Sequence, residues 1–172
     1  MKELYFRKIP KTSYTNYISC QEALNTPDEN GEMADWHSLV YWSSPKPNQE
    51  IPLYHNPLLD KEGIEYRKIQ YSEDKVHIAN FARAFADFVY LKRKNPLTLK
   101  ILDTHCDAMI FDDYKQELYE LVKKMQERDK EHSYKQFVRY SFFEWFKRDR
   151  EFWDSHDIYV DPKDLELEIV NL

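Results

Sequence analysis

The stretch EDKVHIANFARAFADFVYLKRKNP, residues 73–96, decides the fold because it divides a loop-rich first part of the chain from a helical second part. It opens with acidic residues, closes with three basic residues and stops before Pro96. A helix dipole favours this order of charges, and a proline ends a helix. The pattern predicts a single helix over about residues 74–94.

Two faces of this predicted helix carry apolar side chains at helical spacing. The large residues are Ile78, Phe81, Phe85 and Phe88, and the small residues are Ala79, Ala82 and Ala86. A face of small residues lets a neighbouring helix approach closely. We therefore expect this helix to be central and mostly buried, with Phe81, Phe85 and Phe88 in the core.

Further helices are predicted downstream. Asp112 or Asp113 can cap a second helix, and a third begins at Ser133 and extends toward Trp153. The apolar stripe of the second helix consists of Tyr114, Leu118, Leu121, Val122 and Met125. The terminal segment DLELEIVNL, residues 164–172, alternates apolar and acidic residues with the two-residue period of a half-buried strand.

The first part of the chain has the composition of short elements joined by loops, because residues 1–74 hold six of the eight prolines and both glycines. Strands are predicted at ELYFRKI (3–9), SLVYW (38–42) and IEYRKIQY (64–71), which are rich in β-branched and aromatic residues. Ser19 and Glu22 form a capping-box pattern, which predicts a short helix over residues 20–25.

Together these patterns predict the α+β class. We expect a small N-terminal sheet with loop-rich connections, joined by the C-terminal strand and packed on a bundle of about three helices. A chain of 172 residues is of single-domain size. Its expected parts are a loop-rich mixed part (1–73), a helical part (74–154) and an acidic C-terminal segment (155–172).

The composition excludes several classes of protein. Two glycines cannot supply the glycine-rich loops that cradle phosphates in most nucleotide-binding enzymes, so we expect no nucleotide cofactor. The two cysteines form no CxxC pair, which argues against a zinc ribbon or a disulfide framework. No segment has the apolar length of a membrane span or a signal peptide. The sequence therefore predicts a cytoplasmic protein that does not enter membranes.

Charge is concentrated at one end of the chain. Seven of the 31 acidic residues but only one of the 25 basic residues lie in residues 151–172, so this segment carries the entire net charge of −6. Nucleic-acid binders usually show a basic surface, so a nucleic-acid partner is not expected. An acidic segment suits a protein partner with a basic surface, although a merely solvated surface has the same composition. The predicted contact residues within this segment are Asp157, Asp161, Asp164 and Glu166.

LDTHCDAM, residues 102–109, is the strongest candidate for a metal or catalytic site. Asp103 and His105 are two residues apart and share one face of an extended segment, so His37 from another loop could complete a three-ligand site for a divalent metal. This arrangement would suit a metal-assisted hydrolase or nuclease. The pattern is unspecific and also fits a connection between two helices, with His105 as a structural turn residue, so no metal is assigned.

A second candidate is MADWHSLVYW, residues 33–42, where Trp36 and Trp42 could anchor a protein interface. The same residues also fit an aromatic strand that enters the core. With no defensible catalytic motif, the sequence favours a non-catalytic interaction module. An inhibitor, an antitoxin or an immunity-type protein that covers a basic partner surface has these properties. Nothing in the sequence indicates the oligomeric state.

Overall fold

A computed structural model describes residues 3–35, 37–94 and 112–134 and confirms the predicted α+β class. The elements are β1 (Tyr5–Phe6), α1 (Cys20–Leu24), α2 (Ser38–Trp42), β2 (Ser43–Ser44), β3 (Ile64–Lys68), β4 (Lys75–Ala79), α3 (Phe81–Lys92) and α4 (Asp112–Arg128). The chain divides into two units, Met1–Phe88 and Val89–Leu172. The expected single domain stays a prediction.

Two antiparallel strand pairs form the β part. β1 pairs with β2, and β3 pairs with β4 in a register that places Tyr66 opposite His77 and Lys68 opposite Lys75. On the other side of β4, Ile18 exchanges backbone hydrogen bonds with the strand, since its N–H donates to His77 O and its C=O accepts from Ala79 N. β4 is therefore bonded on both sides, which fixes the N-terminal segment around Ile18 against it.

The predicted helix over 74–94 is wrong in its first turn and a half, because residues 75–79 form β4. Val76 and Ile78 are buried while Lys75 and His77 point away from them, which is the alternation of a strand. α3 begins only at Phe81, where the Asn80 side chain accepts a hydrogen bond from Arg83 N at 2.8 Å. An N-cap residue inside the apolar stretch thus separates a strand from a helix.

The predicted strand over 38–42 is also wrong, since these residues form α2. Trp42 is the buried end of this short helix, and its ring stacks on Tyr71 at a centroid distance of 4.2 Å. Its indole Nε1 donates to Glu22 O at 3.1 Å. Tertiary contacts of one aromatic side chain therefore override the β propensity of the segment.

The other predicted elements agree in large part with the structure. The helix at 20–25 is confirmed as α1, but Ser19 makes no capping hydrogen bond with its side chain, so the capping-box explanation is wrong. The strand at 64–71 is confirmed over β3, and the strand at 3–9 is reduced to β1 with an isolated bridge at Lys8.

The core of the first unit is formed by residues of α3, β4, α1 and the loops that connect them. It contains, among others, Ile18, Leu24, Leu59, Ile78, Phe81, Ala82, Phe85 and Ala86. Phe81 and Phe85 are buried as predicted, whereas Phe88 is only half-buried. The predicted helical stripe thus identifies Phe81 and Phe85 correctly as core residues. Ile78 is also in the core, but it lies on β4.

In the second unit, α4 starts where the sequence predicts. Leu118, Leu121, Val122 and Met125 are buried, and Tyr114 is half-buried. The third helix beyond Tyr134 and the strand at 164–172 lie outside the described residues. Among the helices that the structure describes, none is long and apolar enough to cross a membrane.

Candidate functional site

The most polar feature of the first unit is a buried network around the ion pair of Arg83 and Asp87, one turn apart on α3. Arg83 Nε lies 2.9 Å from Asp87 Oδ1, and both side chains are almost completely buried. Asp87 also accepts hydrogen bonds from Tyr17 at 2.9 Å, Ser19 at 2.7 Å and Asn56 at 3.0 Å. Each carboxylate oxygen therefore has two donors. We call these five residues the Asp87 network.

The guanidinium of Arg83 organises the loop that precedes β3. Its amino groups donate to the backbone carbonyls of Asn56, Leu59, Asp60 and Glu62, and to the hydroxyl of Tyr17. Gly63 lies directly on this arginine, since a Cβ at position 63 would approach Arg83 Cβ to 2.6 Å. Gly63 also has a φ of +68°, so the turn requires glycine for space and for conformation.

The chemistry of this network is that of a closed structural site. Burial raises the pKa of Tyr17, and the negative charge of Asp87 raises it further against the opposing effect of Arg83. The phenol therefore stays protonated and donates to the carboxylate. Removing one partner of such a buried pair leaves an uncompensated charge, so the network fixes the relative positions of α3 and two loops.

A second buried cluster surrounds Glu22 on α1. Tyr54 donates to its Oε2 at 3.2 Å, and Arg7 Nη1 lies 3.6 Å from Oε1. Burial raises the pKa of Glu22, and the hydrogen bonds and Arg7 only partly oppose this effect. Arg7 Nε is buried without a hydrogen-bond partner. The cluster is therefore less completely satisfied than the Asp87 network.

Cys20 is the first residue of α1 and lies in the sequence between Ser19 of the Asp87 network and Glu22 of the second cluster. It has a φ of +52° and follows an extended segment. An extended segment, a strained residue and a helix also present the nucleophile in some hydrolases. Here Cys20 is buried, so a substrate has no access to it in this conformation. The turn instead directs the Ser19 hydroxyl toward Asp87.

In the second unit, Asp129 follows α4 and gathers the residues after it. It accepts hydrogen bonds from Tyr134 Oη at 2.7 Å and from the backbone N–H groups of Glu131 and His132. Burial alone would raise the pKa of Asp129, but these hydrogen bonds together lower it to about 2. His132 Nδ1 lies 3.1 Å from Asp129 Oδ2. The arrangement ends α4 and orders the following turn.

The predicted three-residue metal site is described only at His37. This residue is exposed, and its Nδ1 lies 2.5 Å from Asp35 Oδ1. Asp103 and His105 lie outside the described residues, so the site stays a prediction. Within the described ranges, no group of three or more histidine, cysteine, aspartate or glutamate side chains could hold a metal ion.

The predicted partner-binding residues fall into two groups. Trp42 is 1% exposed and packs in the core, and its assignment to an interface stays a prediction. Outside the described residues lie Trp36, Asp157, Asp161, Asp164 and Glu166. The sequence interpretation of residues 33–42 as core-facing therefore fits Trp42, although the element is a helix and not a strand.

Sequence reasoning missed an exposed apolar surface that begins two residues away from Trp42. Leu39 and Val40 on α2, and Leu4 and Phe6 at β1, are between 57% and 68% exposed. The β1–β2 ladder pairs Phe6 with Ser43, and Arg7 N donates to Trp42 O at 3.0 Å, so β1 runs along the end of α2. We call these four residues the β1–α2 patch. The run LVYW (39–42) contains two of these exposed residues, but its interpretation as a strand did not show which of its side chains face solvent.

Comparison with protein-family models, with curated proteins and with solved structures found no match to this chain.

Proposed function

We propose that this protein is a non-catalytic, cytoplasmic interaction module, of the inhibitor, antitoxin or immunity type, that binds a protein partner with a basic surface. The observation that carries the proposal is the β1–α2 patch. Large apolar side chains that are exposed on neighbouring segments often mark an interaction site, whereas single exposed ones are normal. An apolar centre with a polar rim is the usual anatomy of a protein interface.

The buried polar groups support a binding role over a catalytic one. In the described part of the first unit, Asp87 and Arg83 are engaged by several internal partners each. Groups that are fully occupied by the fold do not act on a substrate. We therefore place the function on the protein surface and not in a cleft lined by these charges.

The basic character of the partner follows from charge. Residues 151–172 carry the whole net charge of −6. Long-range attraction by such a segment raises association rates with a basic protein, and salt screens it over about 8–10 Å. In the proposed complex, the β1–α2 patch supplies contact area and the acidic segment supplies attraction.

Paired glutamine substitutions in α2 test the patch. Leu39→Gln with Val40→Gln removes apolar area but keeps good helix formers, and Leu91→Gln on α3 is the matched control, since Leu91 is also exposed. A partner captured by the wild type, purified and remixed should bind the α2 variant at least about tenfold more weakly. The Leu91 variant should bind normally. Equal affinity of all three proteins would contradict the proposal.

Neutralisation of Asp157, Asp161 and Asp164 to Asn tests the electrostatic part. We expect slower association at low salt, a flatter salt dependence and little change in dissociation, measured by stopped flow with the purified partner. An unchanged association rate would show that the acidity is only a solvated surface.

The alternative, a metal-assisted hydrolase that uses His37, Asp103 and His105, makes a different prediction. Such an enzyme binds a divalent metal and loses it in His105→Ala, which calorimetric titration measures. An interaction module shows no metal binding to lose.

A further inference from the structure

The outer face of the β3–β4 hairpin combines exposed aromatic rings with basic side chains. Tyr66 and His77 face each other across the ladder with ring centroids 4.6 Å apart, and Tyr14 packs its ring edge-on against His77 at the same distance. Tyr66 is 55% exposed and Tyr14 is 45% exposed. The three rings form a continuous aromatic row. We call these three residues, together with Lys68 and Lys75, the hairpin face.

The two lysines lie directly opposite each other in the next pair of the ladder on the same face. Like charges in this position destabilise a strand pair. Lys75 Nζ lies 5.9 Å from the centre of the Tyr66 ring, at the outer limit of a cation–π contact. Lys68 lies 3.9 Å from Glu73, but both side chains are exposed, and exposed pairs contribute little. The fold itself therefore gains little from having two cations here.

We propose that the hairpin face binds single-stranded nucleic acid. Exposed aromatic rings stack on bases that are not already stacked in a duplex, and neighbouring lysines contact the phosphates. An acidic peptide would satisfy the lysines but has no planar groups for the row of rings. The aromatic row thus selects the nucleic acid as occupant, and the lysine pair supplies the charge complementarity.

The net charge of the chain does not contradict this proposal. The negative charge of the chain is concentrated in residues 151–172, and the proposal rests on the rings and the two lysines of the hairpin face itself, with Glu73 as the exposed partner of Lys68. The proposal is independent of the protein interaction proposed above, because it rests on different residues.

Fluorescence anisotropy of the full chain with a labelled oligothymidylate or oligouridylate of about 12 nucleotides tests the proposal. We expect saturable binding that weakens as salt increases, and no comparable binding of the matching duplex. Polyglutamate serves as the probe for an acidic peptide. Absence of saturable binding to either oligonucleotide, or binding of polyglutamate at equal strength, would overturn the proposal.

Two matched sets of variants locate the site. Lys68→Glu should raise Kd about tenfold or more, while Lys46→Glu, the same charge change at an exposed lysine elsewhere in the unit, should have a much smaller effect. Tyr66→Leu should raise Kd about tenfold through loss of stacking, and Tyr66→Phe should retain wild-type affinity. Equal effects of the two lysine variants, or of the two tyrosine variants, would refute a site on this face.

Stability separates a binding role from a structural one. If Lys68 serves binding, Lys68→Glu weakens the nucleic-acid complex while the midpoint of urea unfolding stays the same or increases. A lower midpoint with weakened binding would show that the lysine supports the hairpin and that binding is lost indirectly. That result would also overturn the assignment.

Discussion

The Asp87 network and the hairpin face differ in the burial and the pairing of their charged side chains. In the network, one cation and one anion are buried together, and each is surrounded by donors or acceptors from several segments. On the hairpin face, two cations lie opposite each other in solvent. The buried charges are paired within the fold, whereas the fold gains little from the two exposed lysines, which we propose serve binding.

The largest expected effect is the loss of Asp87. Asp87→Ala leaves the buried Arg83 without its counterion and should lower the free energy of unfolding by about 3–5 kcal/mol. The control is Glu73→Ala, which removes the exposed partner of Lys68 and should cost less than about 0.5 kcal/mol. Urea unfolding of both variants measures the contrast. Similar costs would show that the network is not a structural centre.

An effect of similar size is expected in the apolar core beneath the network. Phe85→Ala should cost about 3–5 kcal/mol, the range for truncation of a buried phenylalanine. Phe6→Ala, at an exposed position of the β1–α2 patch, should cost less than about 1 kcal/mol. A cost below 1 kcal/mol at Phe85 in denaturant unfolding would contradict its place in the core.

A smaller effect concerns pH and the incompletely satisfied cluster at Glu22. Because burial raises the pKa of Glu22 in the folded state, the folded protein holds the proton more tightly than the unfolded chain. The contribution of Glu22 to stability is therefore complete below its ordinary value of 4.5 and decreases as pH rises through the raised pKa.

Glu22→Gln removes this titration and keeps a hydrogen-bond acceptor for Tyr54. The free energy of unfolding of the wild type minus that of the variant should decrease from about pH 4 upward, measured by urea unfolding at a series of pH values. A difference that increases with pH would mean that the Arg7 pair outweighs burial.

The smallest effect is expected on the hairpin face. Lys68→Glu converts a repulsive cross-strand pair with Lys75 into an attractive one; because the contact with Glu73 is exposed and contributes little, we expect a net stabilisation of about 0.2–1 kcal/mol. Thermal and urea unfolding measure this change. A destabilisation would remove the contrast between the face and the Asp87 network, because the lysine would then be part of the architecture.

The sequence predicted those elements whose periodicity is decided locally. The stripe of α4 and the core positions Phe81 and Phe85 follow from helical spacing, and the strand β3 follows from its β-branched and aromatic residues. The prediction failed at residues 75–79, where helical spacing of Ile78 with Phe81 concealed a strand that ends at the Asn80 cap. It failed again at α2, where contacts of Trp42 with Tyr71 and Glu22 decide the conformation.

The candidate sites were less predictable than the fold. The Asp87 network joins residues from three separate parts of the sequence, and no local pattern links Tyr17 and Asn56 to α3. The hairpin face depends on the register that sets Lys68 against Lys75. A single residue of slip would change that pairing, and the sequence contains no turn motif that fixes it.

The network also has a consequence for the order of folding. Asp87 bonds to Tyr17 across 70 residues and to Asn56 across 31 residues. Such distant contacts form late, because the chain entropy of closing long loops is lost before the bonds can compensate it. During synthesis from the N-terminus, the segments around Tyr17 and Asn56 therefore emerge well before the residue that anchors them. We expect Asp87→Ala to act mainly by accelerating unfolding, with little effect on the rate of refolding.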